Sequence, residues 1–247
     1  MAPPMVAARR EGRGAGGAVL ALEGPSGAGK SSAARALSGS FGYYFVAEAY
    51  DRLDPRPSLE VRHLADLVAV ESDLLGAEVE RYREAEEARR AGRSVVLDTG
   101  YLGPFTYTLG LAEIDPRFRP AVRPLARRVL SLIERGSLGL PDGTIYLDVP
   151  ESHAADRASR DPVRHPPRWA RRHREVARVE RGLWLGPFGG RSPKRVWRLP
   201  SLPSPEEVAR RVDRACRRGR FPGRPTGALA VRTVRAWADV AARSSNR

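Results

Sequence analysis

The sequence predicts a three-layer α/β fold built on a five-stranded parallel sheet. Three observations predict it: five short apolar runs spaced along the chain, helical segments alternating with them, and a glycine-rich loop between the first run and the first helix. Strands of a parallel sheet carry helices on both faces, so they read as continuous apolar runs rather than as alternation. The 247 residues suit one such domain with tails, and 41% hydrophobic with 29% charged residues is a globular composition.

Taken in order, residues 1–17 are Gly/Ala/Arg-rich without periodicity and are expected to form a disordered basic arm. Residues 18–22 (AVLAL) form the first run, followed by the glycine loop and an Ala-rich helix from residue 31 to 38. Residues 43–48 (YYFVAE) read as a second buried strand. Over 59–91, Leu64, Leu67, Val68, Leu74, Leu75 and Val79 recur near the 3.6-residue period, and Gly92 then suits a helix end. Residues 94–98 (SVVLD), 144–149 (TIYLDV) and 196–199 (VWRL) supply the third, fourth and fifth strands. A last core helix opens with Ser204 as N-cap, Pro205 at the first helical position and Glu206 and Glu207 in the first turn. The main domain is placed at 18–216. Beyond it, 217–226 (RRGRFPGRPT) reads as a linker, and 227–243 as a helix outside the core.

No stretch approaches the ~18 apolar residues that span a bilayer. The N-terminus lacks the apolar segment of a secretory signal, and the single Cys216 forms no internal disulfide. A cytoplasmic protein without membrane partners is expected. The net charge of +14 suggests a polyanion, but only Lys30 and Lys194 are lysines and Asn246 is the only asparagine. This is the pattern of GC-rich coding, and a dispersed arginine excess does not make a nucleic-acid surface. Nucleic acid is therefore not the expected partner.

Gly24-Pro25-Ser26-Gly27-Ala28-Gly29-Lys30-Ser31 fits G-x-x-x-x-G-K-[ST] at every fixed position, after a strand and opening a helix. Glycines let backbone N–H groups converge on phosphate oxygens, and the helix N-terminus favours negative charge. Gly24, Ser26, Gly27, Ala28, Gly29, Lys30, Ser31 and Ser32 are the expected ATP-binding residues. Lys30 would reach the β- and γ-phosphates, and the Ser31 hydroxyl would ligate Mg²⁺. Asp98, ending an apolar run, has the place of a second Mg²⁺-organising group. Asp148 also ends a run but is read as structural or helix-capping. His165 and His173 lack the flanking ligands of a protein-held metal site.

The loop names a superfamily, and the rest of the chain narrows it. An NKxD-type base reader is excluded by the lone asparagine at 246. Over roughly residues 18–215 the chain resembles deoxynucleoside kinases and thymidylate kinases of the P-loop NTPase fold. The resemblance implies that Glu48, in Phe45-Val46-Ala47-Glu48-Ala49-Tyr50, is the base acting on an acceptor hydroxyl. It also implies that 98–107 (DTGYLGPFTY) parallels the Asp-Arg-Tyr stretch of thymidylate kinases, with Thr99 in place of the family arginine. Tyr101, Phe105 and Tyr107 become candidates for stacking the acceptor or for packing a core. Arg157, Arg160, Arg164, Arg168, Arg171, Arg172 and Arg174, interrupted by Pro162, Pro166 and Pro167, resemble an arginine-rich lid over about 157–175. Arg157 and Arg160 lie nearest the family's catalytic lid positions.

The expected catalytic set is thus Lys30, Glu48, Asp98, Arg157 and Arg160, with ATP and Mg²⁺ as cofactors. The expected reaction is transfer of the γ-phosphate to a hydroxyl or phosphate of a nucleoside, nucleotide or similar small molecule. Two rivals remain at this stage: an O-phosphotransferase acting on an antibiotic or metabolite, and a nucleic-acid-associated or regulatory ATPase. Monomer and homodimer both stay open.

Overall fold

The computed structural model describes residues 17–160, 170–186, 195–200, 204–221 and 223–243. The basic arm, apart from Gly17, lies outside the described residues, as does the 161–169 part of the expected lid.

Five strands form one sheet: β1 (Val19–Glu23), β2 (Tyr44–Val46), β3 (Val95–Asp98), β4 (Gly143–Asp148) and β5 (Val196–Pro200). Their order is β2-β3-β1-β4-β5, every pairing parallel. All five strands sit where the apolar runs placed them, to within a few residues. β2 is the shortest and stops at Val46, so Glu48 stands two residues past its end.

Successive side chains of a strand point to opposite faces, and β1 divides its five residues accordingly. Leu20 and Leu22 join Ala33, Leu37, Val96, Ile145, Leu147, Val208 and Val212 under α1 (Lys30–Phe41) and α7 (Pro205–Arg217). Val19 and Ala21 face the other way, into the larger cluster with Val95, Leu97, Phe105, Val122 and Val129. That face is covered by α2 (Leu64–Arg90), α3 (Gly103–Ile114) and α4 (Arg119–Glu134), with α6 (Ala170–Leu185) against α3. A short α5 (Glu151–Ala158) follows β4. α7 begins as its sequence dictates, with Ser204 Oγ accepting from the Glu207 N–H at 3.3 Å.

The sequence reading is corrected at two places. α3 and α4 carry no expectation in it. Residues 103–112 are apolar almost throughout and show no amphipathic stripe, eight α3 residues being buried. α4, by contrast, does carry a helical apolar face, Val122, Leu125, Val129 and Ile133, which the reading leaves out. The helix expected outside the core, α8 (Gly227–Arg243), packs on α4 and enters the main cluster through Ala230, Val234 and Trp237. Trp237 is 1% exposed and meets Trp184 of α6 edge-on, ring centroids 5.0 Å apart. Among the described residues no helix is long and apolar enough to cross a membrane.

Candidate active site

β1 is the centre of the sheet, and the chain crosses from its β3 side to its β4 side. In open α/β sheets the crevice at such a switch point, outside the carboxyl ends of the strands, is where ligands bind. Residues 24–29 lie at that point. Each glycine of the loop answers a definite constraint. A Cβ at Gly24 would stand 2.6 Å from the Leu147 carbonyl oxygen of β4, and one at Gly27 2.2 Å from the Ala154 carbonyl oxygen of α5. Gly29 caps α1 with φ 92°, a left-handed conformation that L side chains rarely adopt. Lys30 folds back over the loop, Nζ donating to the carbonyls of Gly24 (2.8 Å) and Pro25 (3.1 Å). Ala28 N–H donates to Pro25 O at 3.0 Å, Ser26 lines the adjoining cleft, and Ser32 is exposed on the first turn of α1.

Leu22 and Asp98 are register partners across β1 and β3, so the strand pairing itself brings Asp98 to the loop. Asp98 is 1% exposed and takes a hydrogen bond from the Ser31 hydroxyl, while its Oδ1 has no hydrogen-bond partner. Burial raises its carboxyl above the usual range, against the Ser31 hydrogen bond and the Lys30 charge, which lower it. A buried carboxylate oxygen with an open valence beside a loop hydroxyl has the donor chemistry of a Mg²⁺ site. The next residue, Thr99, has φ 67°; that conformation is strained for a β-branched residue. Its carbonyl accepts from Arg81 at 2.9 Å.

Beyond Lys30 opens a cleft of about 180 Å³. Glu48 reaches its wall, as do Thr99, Thr106, Tyr107 and His173. Three aromatic candidates therefore part company. Tyr107 lines the cleft, whereas Tyr101 and Phe105 are buried in the main core. The wall also carries four more glutamates among apolar residues such as Leu59, Leu74 and Val176: Glu23 ends β1, Glu71 and Glu78 come from α2, and Glu180 from α6. Burial pushes Glu23 up to about 8, against the Gly100 N–H that donates to its Oε1 at 2.8 Å. Burial likewise pushes Glu78 up to about 7, against the Arg81 guanidinium 2.6 Å away. Glu71 and Glu180 are also raised, both chiefly by burial.

Sequence reasoning missed these four glutamates and Arg81. A signal existed on α2: Glu71, Glu78 and Arg81 fall on the same buried helical stripe as Leu67, Leu75 and Tyr82, where a solvated charge has no place.

The arginines expected to form a lid divide sharply where they are described. Arg157 lies beside the loop, one guanidinium nitrogen 3.7 Å from the position of a Gly29 Cβ. Arg160 is not brought there; it is exposed and paired with Asp156 at 3.0 Å. Arg171 pairs with Glu175 and Arg174 with Glu151. Arg172 holds Asp115 at 2.8 Å and stacks over Phe118. Arg164, Arg168 and His165 lie outside the described residues. Asp148 is structural, clamped by Arg181 (2.7 Å) and Arg198 (2.6 Å), and does not cap α5.

A family model described as an AAA domain matches residues 19–130. No curated protein sequence matches the chain. Among solved structures, the deoxyadenosine kinase of M. mycoides with bound dATP superposes with a TM-score of 0.64 at 13% identity. The alignment covers 81% of this chain and 99% of that one. The same enzyme with the products dCMP and dCDP gives 0.56 at 12% identity over the same shares. With the phosphate loop, the parallel sheet order and the helices on both faces, these likenesses show that the chain has the fold of the P-loop nucleoside and nucleotide kinases.

Proposed function

We propose that this chain is a Mg²⁺- and ATP-dependent kinase that transfers the γ-phosphate to a hydroxyl of a small molecule. The observation that carries the reading is the convergence, at one switch point, of the Gly24–Ser31 loop, the Ser31 hydroxyl bonded to buried Asp98, and a cleft walled by Glu48. In this reading the loop N–H groups and Lys30 bind the triphosphate, and Ser31 and Asp98 hold Mg²⁺. The ion, when bound, neutralises charge on the transferring phosphoryl group. Glu48 takes the proton of the attacking hydroxyl as it approaches in line. Arg157, beside Gly29, stabilises charge spread over the equatorial oxygens. Arg160, turned to solvent, has no part in the step.

The acceptor is a hydroxyl rather than a phosphate. Lys30 is the one lysine or arginine among the described cleft-lining residues, so a phosphorylated acceptor would meet glutamates without a cation of its own. The domain of this kinase takes in α8 as well as residues 18–216, because Trp237 and Val234 complete its core.

The decisive experiment is Lys30→Ala assayed for ATP turnover with a panel of hydroxylated acceptors. Turnover should fall at least about 1000-fold with the circular dichroism spectrum and melting temperature preserved. Undiminished phosphoryl transfer in that variant overturns the reading. ATP hydrolysis stimulated by nucleic acid, with affinity falling steeply in salt, would instead favour a nucleic-acid-associated ATPase.

A further inference from the structure

The cleft beyond Lys30 carries more carboxyl groups than phosphoryl transfer uses. Five glutamates line it: Glu23, Glu48, Glu71, Glu78 and Glu180. Glu78 is answered by Arg81 at 2.6 Å, Glu23 by the Gly100 N–H at 2.8 Å, and Glu180 by the Thr106 hydroxyl at 2.9 Å. Glu71 is not answered. It is 2% exposed, and neither of its carboxylate oxygens has a hydrogen-bond partner. Buried polar atoms are satisfied in the great majority of native sites, so two orphaned oxygens on one carboxylate call for a ligand.

The direction in which Glu71 acts is set by its neighbours. It stands between this cleft and a smaller pocket of about 130 Å³ that Arg128 borders. It nevertheless feels the charge of Glu180, and its own charge is felt by Tyr107, both in the cleft wall. Two carboxylates from α2 and α6 and an aromatic ring lining the same cleft make a site for a cation, since carboxylates attract positive charge directly and a tyrosine face attracts it through its quadrupole. A neutral acceptor could offer Glu71 a hydrogen bond but no opposite charge, and an anionic one would be repelled.

We propose that the acceptor is a small hydroxylated cation, an alcohol bearing an ammonium or guanidinium group, whose positive end docks at Glu71, Glu180 and Tyr107 while its hydroxyl faces Glu48 and Lys30. This deepens the kinase reading and rests on it. The upward displacement of the Glu71 and Glu180 carboxyls agrees: it is the desolvation cost of two buried acids, which an incoming cation offsets.

The test uses the full chain with ADP and Mg²⁺ and three matched pairs of probes: choline with its uncharged carbon isostere, ethanolamine with ethylene glycol, and glucosamine with glucose. Binding is read by saturation-transfer NMR. The expected result is that at least one cation binds about tenfold or more tightly than its neutral partner, and that Glu71→Gln erases the difference. Equal or tighter binding by the neutral partners overturns the proposal. So does failure of every cation to bind up to about 10 mM. The comparison of pairs on the wild-type chain stands even where Glu71→Gln does not fold. ATP binding, measured separately by nucleotide fluorescence, keeps the two readings distinguishable. Its absence sinks the kinase reading and leaves a cation preference standing, whereas ATP binding without a cation preference sinks only this inference.

Discussion

Arg81 and Glu78, one helical turn apart on α2, form an ion pair at 2.6 Å with side chains 0% and 2% exposed. The same guanidinium donates to the carbonyls of Asp98 (2.8 Å) and Thr99 (2.9 Å). It thus ties the helix to the turn that presents the Asp98 carboxyl and holds Thr99 in its left-handed conformation. Removing one member of a buried pair leaves the other uncompensated. Arg81→Met should cost about 3–5 kcal/mol of stability in urea unfolding, and adding Glu78→Gln should restore part of that loss. A single variant as stable as wild type would show that the pair does not hold this turn.

Asp98 is the group through which Mg²⁺ dependence is tested. Asp98→Asn keeps the shape and the acceptor for the Ser31 hydroxyl but removes the charge. Turnover should fall about 100-fold or more, and the Mg²⁺ concentration for half-maximal rate should rise. The melting temperature should hold or increase, because burial already disfavours the ionised form. An unchanged Mg²⁺ profile would remove Asp98 from the metal site.

Glu23 sets a pH dependence of stability. Its carboxyl rises from 4.5 to about 8 on folding, so between those values the folded chain holds a proton that the unfolded chain has released. Where the native state binds more protons, stability falls as pH rises. Unfolding free energy should therefore decline from about pH 5 to about pH 8. Glu23→Gln, which keeps an acceptor for the Gly100 N–H, should flatten the decline by up to a few kcal/mol. A slope identical in both proteins would assign the titration to other groups, Glu78 first, since it is pushed up to about 7.

Trp237 tests whether the C-terminal helix belongs to the domain. It is 1% exposed against Trp184, and deleting a large buried ring costs both transfer energy and a cavity. Trp237→Ala should destabilise the whole chain by about 3–5 kcal/mol in one cooperative transition. A separate early transition confined to α8 would show that it docks as an independent segment.

How much of this was legible beforehand depends on the range over which each feature is encoded. Lys30, Ser31 and the loop glycines could be read directly, because backbone conformation and helix start are properties of consecutive residues. Asp98 was legible as the end of an apolar run, and its place beside the loop follows from the Leu22–Asp98 register. Arg160 could not be told from Arg157 by position alone. They stand three positions apart, one in the last turn of α5 and the other just past its end, yet the first lies beside Gly29 and the second pairs with Asp156 in solvent.

By itself the sequence determined the class of fold and the phosphate loop, since both are written in short-range patterns of glycine, apolar runs and helix caps. Tertiary structure decided the character of the cleft and the extent of the core. Glu23, Glu71, Glu78 and Glu180 come from three elements far apart in the chain, and α8 hides Trp237 behind a linker that reads as a boundary. Whether a carboxylate is solvated or buried depends on what packs over it, and a stripe of charge acquires chemistry only where another helix removes its water.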